Sequence, residues 1–125
     1  FEVDVPTGLP VVLADGARLV RALSNLLDNA RRHTATGGLV RLGASVAADA
    51  VVVEVADTGE GIPADALPHV FERYYRGDGP RTRGTGTGLG LAIARAVAEA
   101  HGGALAVQSE VGEGTTFRLS LSADL

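Results

Sequence analysis

Apolar residues early in the chain recur at the spacing of an α-helix. They stand three or four positions apart and comprise Leu19, Ala22, Leu23, Leu26 and Ala30. Residues at this spacing share one helix face, which can pack on a core. Asp15 suits the N-cap position, so we predict a helix from there to about Arg32. The short apolar stretch 11–13, which follows Pro10, predicts the end of a strand.

Two pairs of segments farther along the chain are typical of β-hairpins. Residues 39–46 and 51–55 favour strands and are separated by a short connection. Residues 105–109 and 115–121 form a second such pair at the end of the chain. Alternation in the last segment predicts that three apolar side chains face the core, namely Phe117, Leu119 and Leu121.

The middle of the chain combines a long irregular segment with a second helix. Residues 64–86 lack clear periodicity, and loops of that length are usually functional lids or disordered. Residues 89–101 are apolar nearly all round, which predicts a buried helix closed by Gly102 and Gly103. Together the elements predict a two-layer α/β sandwich, in which a mixed, mostly antiparallel sheet packs on about three helices.

Composition narrows the class of protein. The 125 residues fit one domain, spanning 1–125, and no apolar run approaches the roughly 20 residues that cross a bilayer. The absence of cysteine excludes disulfides, thiolate metal sites and a cysteine nucleophile. A net charge of −4 argues against nonspecific nucleic-acid binding. The chain opens at Phe1 without a signal-peptide pattern, so we expect a domain of a longer protein.

All eleven basic side chains are arginine. A P-loop requires a lysine beside its serine or threonine, and a eukaryotic-type protein kinase requires a strand lysine that holds the phosphates. The sequence therefore excludes both of these ways of binding ATP.

Polar residues form a stripe beside the apolar face of the first predicted helix. At about 100° per residue, Asn25, Asn29, Arg32 and His33 fall within this stripe. Asparagine is a poor helix former, so two of them one turn apart need a reason. They could bond across to a sheet edge. Alternatively, an amide oxygen could bind a hard cation such as Mg²⁺, with Arg32 and His33 reaching the phosphates of a nucleotide.

A glycine-rich turn follows the second predicted strand of the first hairpin. Asp57 ends that strand, and Gly59 and Gly61 would let the backbone approach a flat ligand. A carboxylate there can accept a hydrogen bond from an exocyclic amine such as that of adenine. Ile62 and Pro63 could give the ring an apolar floor. The alternative is a tight turn in which the aspartate only caps the chain.

A second glycine-rich segment, 85–91, leads directly into the second helix. Backbone N–H groups at a helix start carry a positive partial charge and bind phosphate well. Three small residues permit close contact, Gly86, Gly88 and Gly90, and Thr87 adds a hydroxyl. The pattern lacks the third glycine of a Rossmann loop, which disfavours a dinucleotide enzyme. A flexible linker is the alternative.

The long irregular segment carries a local excess of positive charge. The segment contains two acidic residues, Glu72 and Asp78, and four arginines, Arg73, Arg76, Arg81 and Arg83. Such a segment could be a solvated loop. It could also be a lid that neutralises a triphosphate and is anchored by aromatic residues, Phe71, Tyr74 and Tyr75.

These motifs together resemble a known family. In chain order they read NLLDNARRHT, DTGEGIP, FERYYRGD, GTGTGLGLAIA and GEGTTF. The chain thereby resembles the catalytic, ATP-binding domain of bacterial two-component sensor histidine kinases, within the superfamily of gyrase, heat-shock chaperone, histidine kinase and mismatch-repair ATPases. The resemblance covers residues 11–121. It implies the Bergerat-type α/β sandwich with a flexible ATP lid.

The resemblance also implies roles for individual residues. Asn29 would hold Mg²⁺ with Asn25 in support, while Arg32 and His33 would approach the phosphates, where the family often has Lys and Tyr. The residues expected at the catalytic centre are Asn25, Asn29 and Arg32. The residues expected to bind ATP are Asn29, Arg32, His33, Asp57, Gly59, Gly61, Ile62, Arg73, Tyr74, Arg76, Thr85, Gly86, Thr87, Gly88, Leu89, Gly90 and Thr115. Among these, Asp57 would recognise the adenine amine and Thr115 would close the adenine end.

One position bears on the reaction. ATPases of the superfamily place a glutamate general base one turn before the Mg²⁺-binding asparagine, where this chain has Asn25. The resemblance therefore favours phosphoryl transfer over hydrolysis. The acceptor histidine of such kinases precedes Glu or Asp, whereas the three histidines here, His33, His69 and His101, precede Thr, Val and Gly.

The expected partners follow from this missing acceptor. They are a histidine-bearing dimerisation domain of the same parent protein and a response regulator that later receives the phosphoryl group on aspartate. We expect the isolated domain to be monomeric and the parent to be a homodimeric membrane sensor with this domain in the cytoplasm. Two alternatives remain: a related anti-sigma factor kinase acting on Ser or Thr, and a regulatory module that binds nucleotide without transfer.

Overall fold

The computed structural model describes residues 2–4, 16–35, 37–47, 50–73 and 89–122. Two α-helices and one short 3₁₀-helix occur in these ranges, α1 Gly16–His33, α2 Gly90–Ala100 and the 3₁₀-helix Leu67–His69. The five strands are β1 Glu2–Asp4, β2 Val40–Ala47, β3 Ala50–Asp57, β4 Ala104–Glu110 and β5 Gly114–Ser122. Neither described α-helix combines the length and apolarity that crossing a membrane would require.

The strands form one sheet in the order β1-β2-β3-β5-β4. Only β1 is parallel to its neighbour, β2, and the other pairs are antiparallel. Both predicted hairpins and the predicted mixed α/β sandwich are confirmed. Strand β1 was not predicted. The predicted strand end at 11–13 and the N-cap Asp15 lie outside the described residues.

Helix α1 forms because its apolar stripe is long enough to cover the sheet. Ala22, Leu26 and Ala30 are buried at 0–1% exposure, one turn apart, within the common core. The last turn carries three basic residues, Arg31, Arg32 and His33. Positive charge is favourable there because the carbonyl end of a helix is negative. The helix ends one residue beyond the predicted end.

Helix α2 is buried on one side only, so the prediction of a buried helix is wrong for its outer side. Ala94, Val97 and Ala98 are buried, whereas Arg95 and Glu99 are exposed and their Nε and Oε2 atoms lie 3.2 Å apart. A two-layer sandwich offers each helix a single sheet face. The alanines on the outer side are small enough to stand in water at little cost.

The predicted glycine stop of α2 is confirmed. Gly102 adopts φ +75°, and the Gly103 N–H donates to the carbonyl of Ala98 at 2.9 Å. A Cβ on Gly103 would lie 1.7 Å from the Ser120 carbonyl oxygen, so only glycine fits between the helix end and β5.

The helix-facing side of the sheet changes from apolar to polar at one end. Cross-strand register aligns Val55, Phe117 and Val107 in one row that lies in or against the core. The next row on the same face contains Asp57, Thr115 and Ser109. We call these three residues the polar row. Because side chains alternate between faces, these polar groups point towards the helices and not towards the open side.

Candidate functional site

The polar row contains the buried polar side chains of the described residues. Asp57 and Thr115 are each 7% exposed. Removing a carboxylate from water is costly unless it gains hydrogen bonds or a charged partner. A buried carboxylate at the end of a core is therefore a candidate binding group.

Burial raises the pKa of the Asp57 carboxyl above its ordinary value. Backbone hydrogen bonds from Gly59 and Thr115, together with the charge of His33, oppose this rise, and the charge of Glu60 adds to it. The clearest of these contacts is the Gly59 N–H, which donates to Asp57 Oδ1 at 2.8 Å. Because the pKa remains raised, the charged form lacks full compensation, and a ligand that donates a hydrogen bond would stabilise it.

The turn after Asp57 packs between the end of α1 and the β4–β5 turn. A Cβ on Gly59 would lie 2.1 Å from the His33 carbonyl oxygen, and a Cβ on Gly61 would lie 2.3 Å from that of Glu110. Gly61 also adopts φ +81°. Both glycines thus allow protein segments to pack closely. Their predicted contact with a ligand stays a prediction.

Ser109 connects this turn to the polar row. Its Oγ accepts the Ile62 N–H at 2.7 Å and lies 2.8 Å from Thr115 Oγ1. It also donates to the Gly114 carbonyl at 3.0 Å. One hydroxyl therefore connects the backbone at Ile62 to the start of β5 and to the side chain of Thr115.

Ser109 is not among the predicted site residues, although the sequence carries a signal for it. The residue continues the alternation of core-facing positions in β4, after Leu105 and Val107. A polar side chain at such a position needs a buried partner. Its partner, Thr115, stands directly opposite in the antiparallel register.

The two asparagines of α1 have different environments. Asn25 Nδ2 donates to the carbonyl oxygen of Gly90, the first residue of α2, at 3.2 Å. Asn25 therefore does not bond to a sheet edge, because its hydrogen-bond partner belongs to a helix. Asn29 is half-buried one turn further on, and its amide has no hydrogen bond within the described part of the chain.

The basic end of α1 lies against the Asp57 turn. His33 Nδ1 is 3.2 Å from Glu60 Oε1, and both side chains are exposed. Arg32 is exposed. The contact between Gly59 and the His33 carbonyl fixes this helix end beside the polar row.

Phe71 anchors the start of the predicted lid to the core. Its ring meets Phe117 edge to face, with centroids 6.1 Å apart, and the Arg95 guanidinium lies 5.5 Å from its centroid. Arg73 is exposed, and Leu89 is half-buried at the start of α2. The other predicted lid and phosphate-loop residues lie outside the described residues: Tyr74, Tyr75, Arg76, Arg81, Arg83, Thr85, Gly86, Thr87 and Gly88.

A shallow groove of about 320 Å³ lies on the opposite, helix-free face of the sheet. It is lined by Arg41, Gly43, Ala44, Ser45, Glu54, Ala56, Thr116 and Arg118. Arg118 is paired with Glu54 and also donates to Gln108. The groove is separated from the polar row by the sheet itself.

The sequence of residues 14–125 matches the family described as histidine kinase-, DNA gyrase B- and HSP90-like ATPases. The chain is 43% identical over 108 residues to the sensor protein SrrB of Staphylococcus aureus. That alignment covers 86% of this chain but only 18% of the length of the relative.

Three solved structures share the fold. The mycobacterial sensor histidine kinase MprB is 34% identical with a TM-score of 0.84, and the match covers 98% of this chain and 83% of that one. Full-length ShkA in complex with AMPPNP is 36% identical with a TM-score of 0.80, over 98% and 26% of the two chains. The catalytic domain of the histidine kinase ThkA is 27% identical with a TM-score of 0.82, over 98% and 77%.

The raised pKa of Asp57 predicts a specific pH dependence of stability. A carboxyl whose pKa is raised by folding binds more protons in the folded state than in the unfolded state at pH values between its two pKa values. The free energy of unfolding therefore falls as pH rises from the unfolded-state pKa to the folded-state pKa. Asp57→Asn removes this titration and keeps an oxygen for the Gly59 N–H. The variant should gain stability relative to wild type as pH rises from acid to neutral. Thermal melts at several pH values test this, and a relative loss of stability over that interval would contradict it.

Proposed function

Because the chain belongs to the family of histidine kinase-, DNA gyrase B- and HSP90-like ATPases, we propose that it binds Mg²⁺-ATP and donates the γ-phosphoryl group to a histidine on a separate domain. The observation that carries the transfer step is Asn25, an amide at the position where hydrolysing relatives are expected to have a carboxylate. The Asn25 side-chain amide already donates a hydrogen bond to the Gly90 carbonyl. An amide cannot take a proton from water as a general base does.

We assign the adenine end of the nucleotide to the polar row and the turn beside it. The Asp57 carboxylate would accept from the exocyclic amine, and Thr115 would close this end of the pocket. Burial of both side chains supports the assignment, because a desolvated acceptor gains most from a matching donor. Ile62, held by its backbone bond to Ser109, would offer an apolar surface to the ring.

The residues of α1 fit a magnesium ion held mainly by the nucleotide. Among the described residues there is no cluster of three His, Cys, Asp or Glu side chains that could hold a metal alone. Mg²⁺ typically takes one or two protein oxygens and completes its shell with phosphate and water. The half-buried amide of Asn29 is available for this role. When bound, the ion would neutralise charge on the phosphates.

Cationic side chains beside Asn29 suit the phosphate end. Arg32 is exposed one turn from it, and His33, which lies 3.2 Å from Glu60, would exchange this carboxylate for a phosphate oxygen. Positive groups fixed at these positions stabilise the charge that spreads over the transferred phosphoryl group. In the transfer, an imidazole nitrogen of the acceptor attacks the γ-phosphorus, the bond to the β-phosphate oxygen breaks and ADP leaves.

The acceptor is proposed to lie outside this chain. His69 Nδ1 is 2.8 Å from Glu72 Oε2, and His101 Nδ1 is 2.7 Å from the Val97 carbonyl. His33 stands within the proposed ATP site itself. The chain spans 18% of the length of its relative SrrB, so a dimerisation domain that bears the acceptor would belong to the rest of a parent protein. Onward transfer to a response regulator, and a cytoplasmic position below a membrane sensor, stay predictions.

The proposed transfer is tested by mixing the chain with a candidate histidine-bearing dimerisation domain and γ-labelled Mg²⁺-ATP. We expect acid-labile, base-stable label on that domain, which is the behaviour of phosphohistidine, and ADP in equal amount. Label on Ser or Thr would indicate the anti-sigma factor type of kinase. Release of labelled phosphate at the same rate without any acceptor would show hydrolysis and contradict the proposal.

Asp57→Asn should weaken ATP binding about 10- to 100-fold. A hydrogen bond to a charged group contributes roughly 1.5–3 kcal/mol, and each 1.4 kcal/mol is a factor of ten in affinity. Titration calorimetry measures the change. The matched control is Asp28→Asn, which removes an exposed carboxylate paired with Arg31 on α1 and should leave the affinity unchanged. Equal effects of the two substitutions would remove the adenine assignment.

Asn29→Ala should abolish most of the increase in ATP affinity that Mg²⁺ causes in the wild-type chain. Asn29→Asp should retain it, because a carboxylate oxygen is also a good Mg²⁺ ligand. Calorimetry with ATP in the presence and absence of Mg²⁺ separates the two variants. An alanine variant with the full Mg²⁺ effect would place the cation elsewhere.

A further inference from the structure

Glu60 lies beside the end of α1 because the turn that carries it is packed on two sides. A Cβ on Gly59 would lie 2.1 Å from the His33 carbonyl oxygen, so the turn fits tightly against the helix end. On the other side, the Glu60 carbonyl accepts the Gly112 N–H at 2.9 Å. The Glu60 side chain then reaches the His33 ring, where Oε1 lies 3.2 Å from Nδ1. Close backbone packing therefore sets this pair of side chains together.

The contact with Glu60 decides which nitrogen of His33 carries a proton. An ionised carboxylate can only accept hydrogen bonds, so Nδ1 must donate to it. A neutral imidazole has one donor and one acceptor nitrogen, and its second nitrogen, Nε2, is then the acceptor. The oxygens of a phosphate group are acceptors as well. A neutral His33 in this tautomer cannot donate a hydrogen bond from Nε2 to a phosphate.

We propose that Glu60 competes with the nucleotide phosphates for His33 and thereby limits the affinity of the site for phosphorylated ligands. The inference rests on the proposed function, in which His33 approaches the phosphates of ATP. For a neutral His33 to donate to a phosphate oxygen, Nδ1 must leave Glu60 or the proton must move to Nε2. Either change breaks the hydrogen bond to Glu60. Glu60 is thus a positioning residue that acts on the nucleotide through His33.

The charge and exposure of the pair fit a competitor that ATP can displace. The pKa of Asp57, which burial raises, is lowered by the charge of His33 and raised further by that of Glu60, so both side chains act on the polar row. The side chains of His33 and Glu60 are 44% and 68% exposed. Water screens such a pair and keeps it weak. A phosphate group can therefore replace the carboxylate, and the return of Glu60 to His33 would favour release of ADP.

The test compares Glu60→Gln with the wild-type chain by calorimetry at about pH 8, where imidazole side chains are generally neutral. Glutamine keeps the size of the side chain, removes its charge and can donate to Nδ1, which allows Nε2 to carry the proton. The affinity for Mg²⁺-ATP should rise about two- to fivefold, the range expected for an exposed ion pair. An unchanged or lower affinity overturns the proposal.

Adenosine separates competition with phosphate from a general change in the pocket. It has the same base and ribose but no phosphate, so its affinity, measured by competition with ATP, should be the same in Glu60→Gln as in wild type. Equal gains for adenosine and ATP overturn the proposal. The matched control is Glu54→Gln, which removes the same charge from an ion pair with Arg118 on the helix-free face and should change neither affinity. An equal gain from this control would show a general effect of net charge and overturn the proposal too.

A double substitution tests whether Glu60 acts through His33. In a His33→Ala background, adding Glu60→Gln should produce little further gain in ATP affinity, because no imidazole remains to be released. The full gain in that background would indicate direct repulsion between Glu60 and the phosphates and overturns the proposed route.

The tautomer of His33 gives a readout that does not depend on affinity. Nitrogen-15 chemical shifts of its imidazole at about pH 8, assigned by their loss in His33→Ala, should place the proton on Nδ1 in the nucleotide-free wild-type chain and mainly on Nε2 in Glu60→Gln. A proton on Nε2 in the nucleotide-free wild-type chain overturns the proposal.

These measurements separate the inference from the function on which it rests. A wild-type chain that binds no nucleotide would disprove the proposed function and this inference with it. A wild-type chain that binds Mg²⁺-ATP with an affinity indifferent to Glu60 would disprove the inference alone.

Discussion

The register of three neighbouring strands is the constraint on which the site depends. It aligns β3, β5 and β4 so that Asp57, Thr115 and Ser109 share one face and one end of the sheet. Side chains alternate along a strand, so a slip of one residue would move the whole set to the opposite face. The apolar row around Phe117, which is 1% exposed, resists such a slip because it would lose its burial. The hydrophobic core therefore holds the polar row in place.

Close backbone packing joins this sheet end to the helices. The Asp57 turn lies between the end of α1 and the β4–β5 turn, where glycines are required at 59 and 61. Asn25 ties α1 to the start of α2 through the Gly90 carbonyl. These contacts hold the proposed adenine end and the proposed phosphate end of the pocket on one packed set of elements. Positioning of this kind is what phosphoryl transfer demands most of a protein.

The proposal that the chain transfers a phosphoryl group and does not hydrolyse ATP rests on one position of α1, residue 25. An amide at residue 25 supports the packing of two helices and cannot activate water. The pocket would therefore prepare ATP for an acceptor that another domain brings. Membership of a family that also includes hydrolysing enzymes does not conflict with this, because fold and reaction are set by different residues.

The sequence by itself determined most of the elements and named the candidate site residues. Periodicity predicted α1, α2 and both hairpins, because amphipathic spacing is a local property, and ordered motifs indicated Asp57, Asn29 and Thr115. Tertiary structure decided what depends on partners distant in the chain. It added β1, exposed the outer side of α2 and gave Asn25 a helix as its partner. It also revealed Ser109, whose hydroxyl contacts Gly114 and Thr115 on a neighbouring strand that only folding brings beside it.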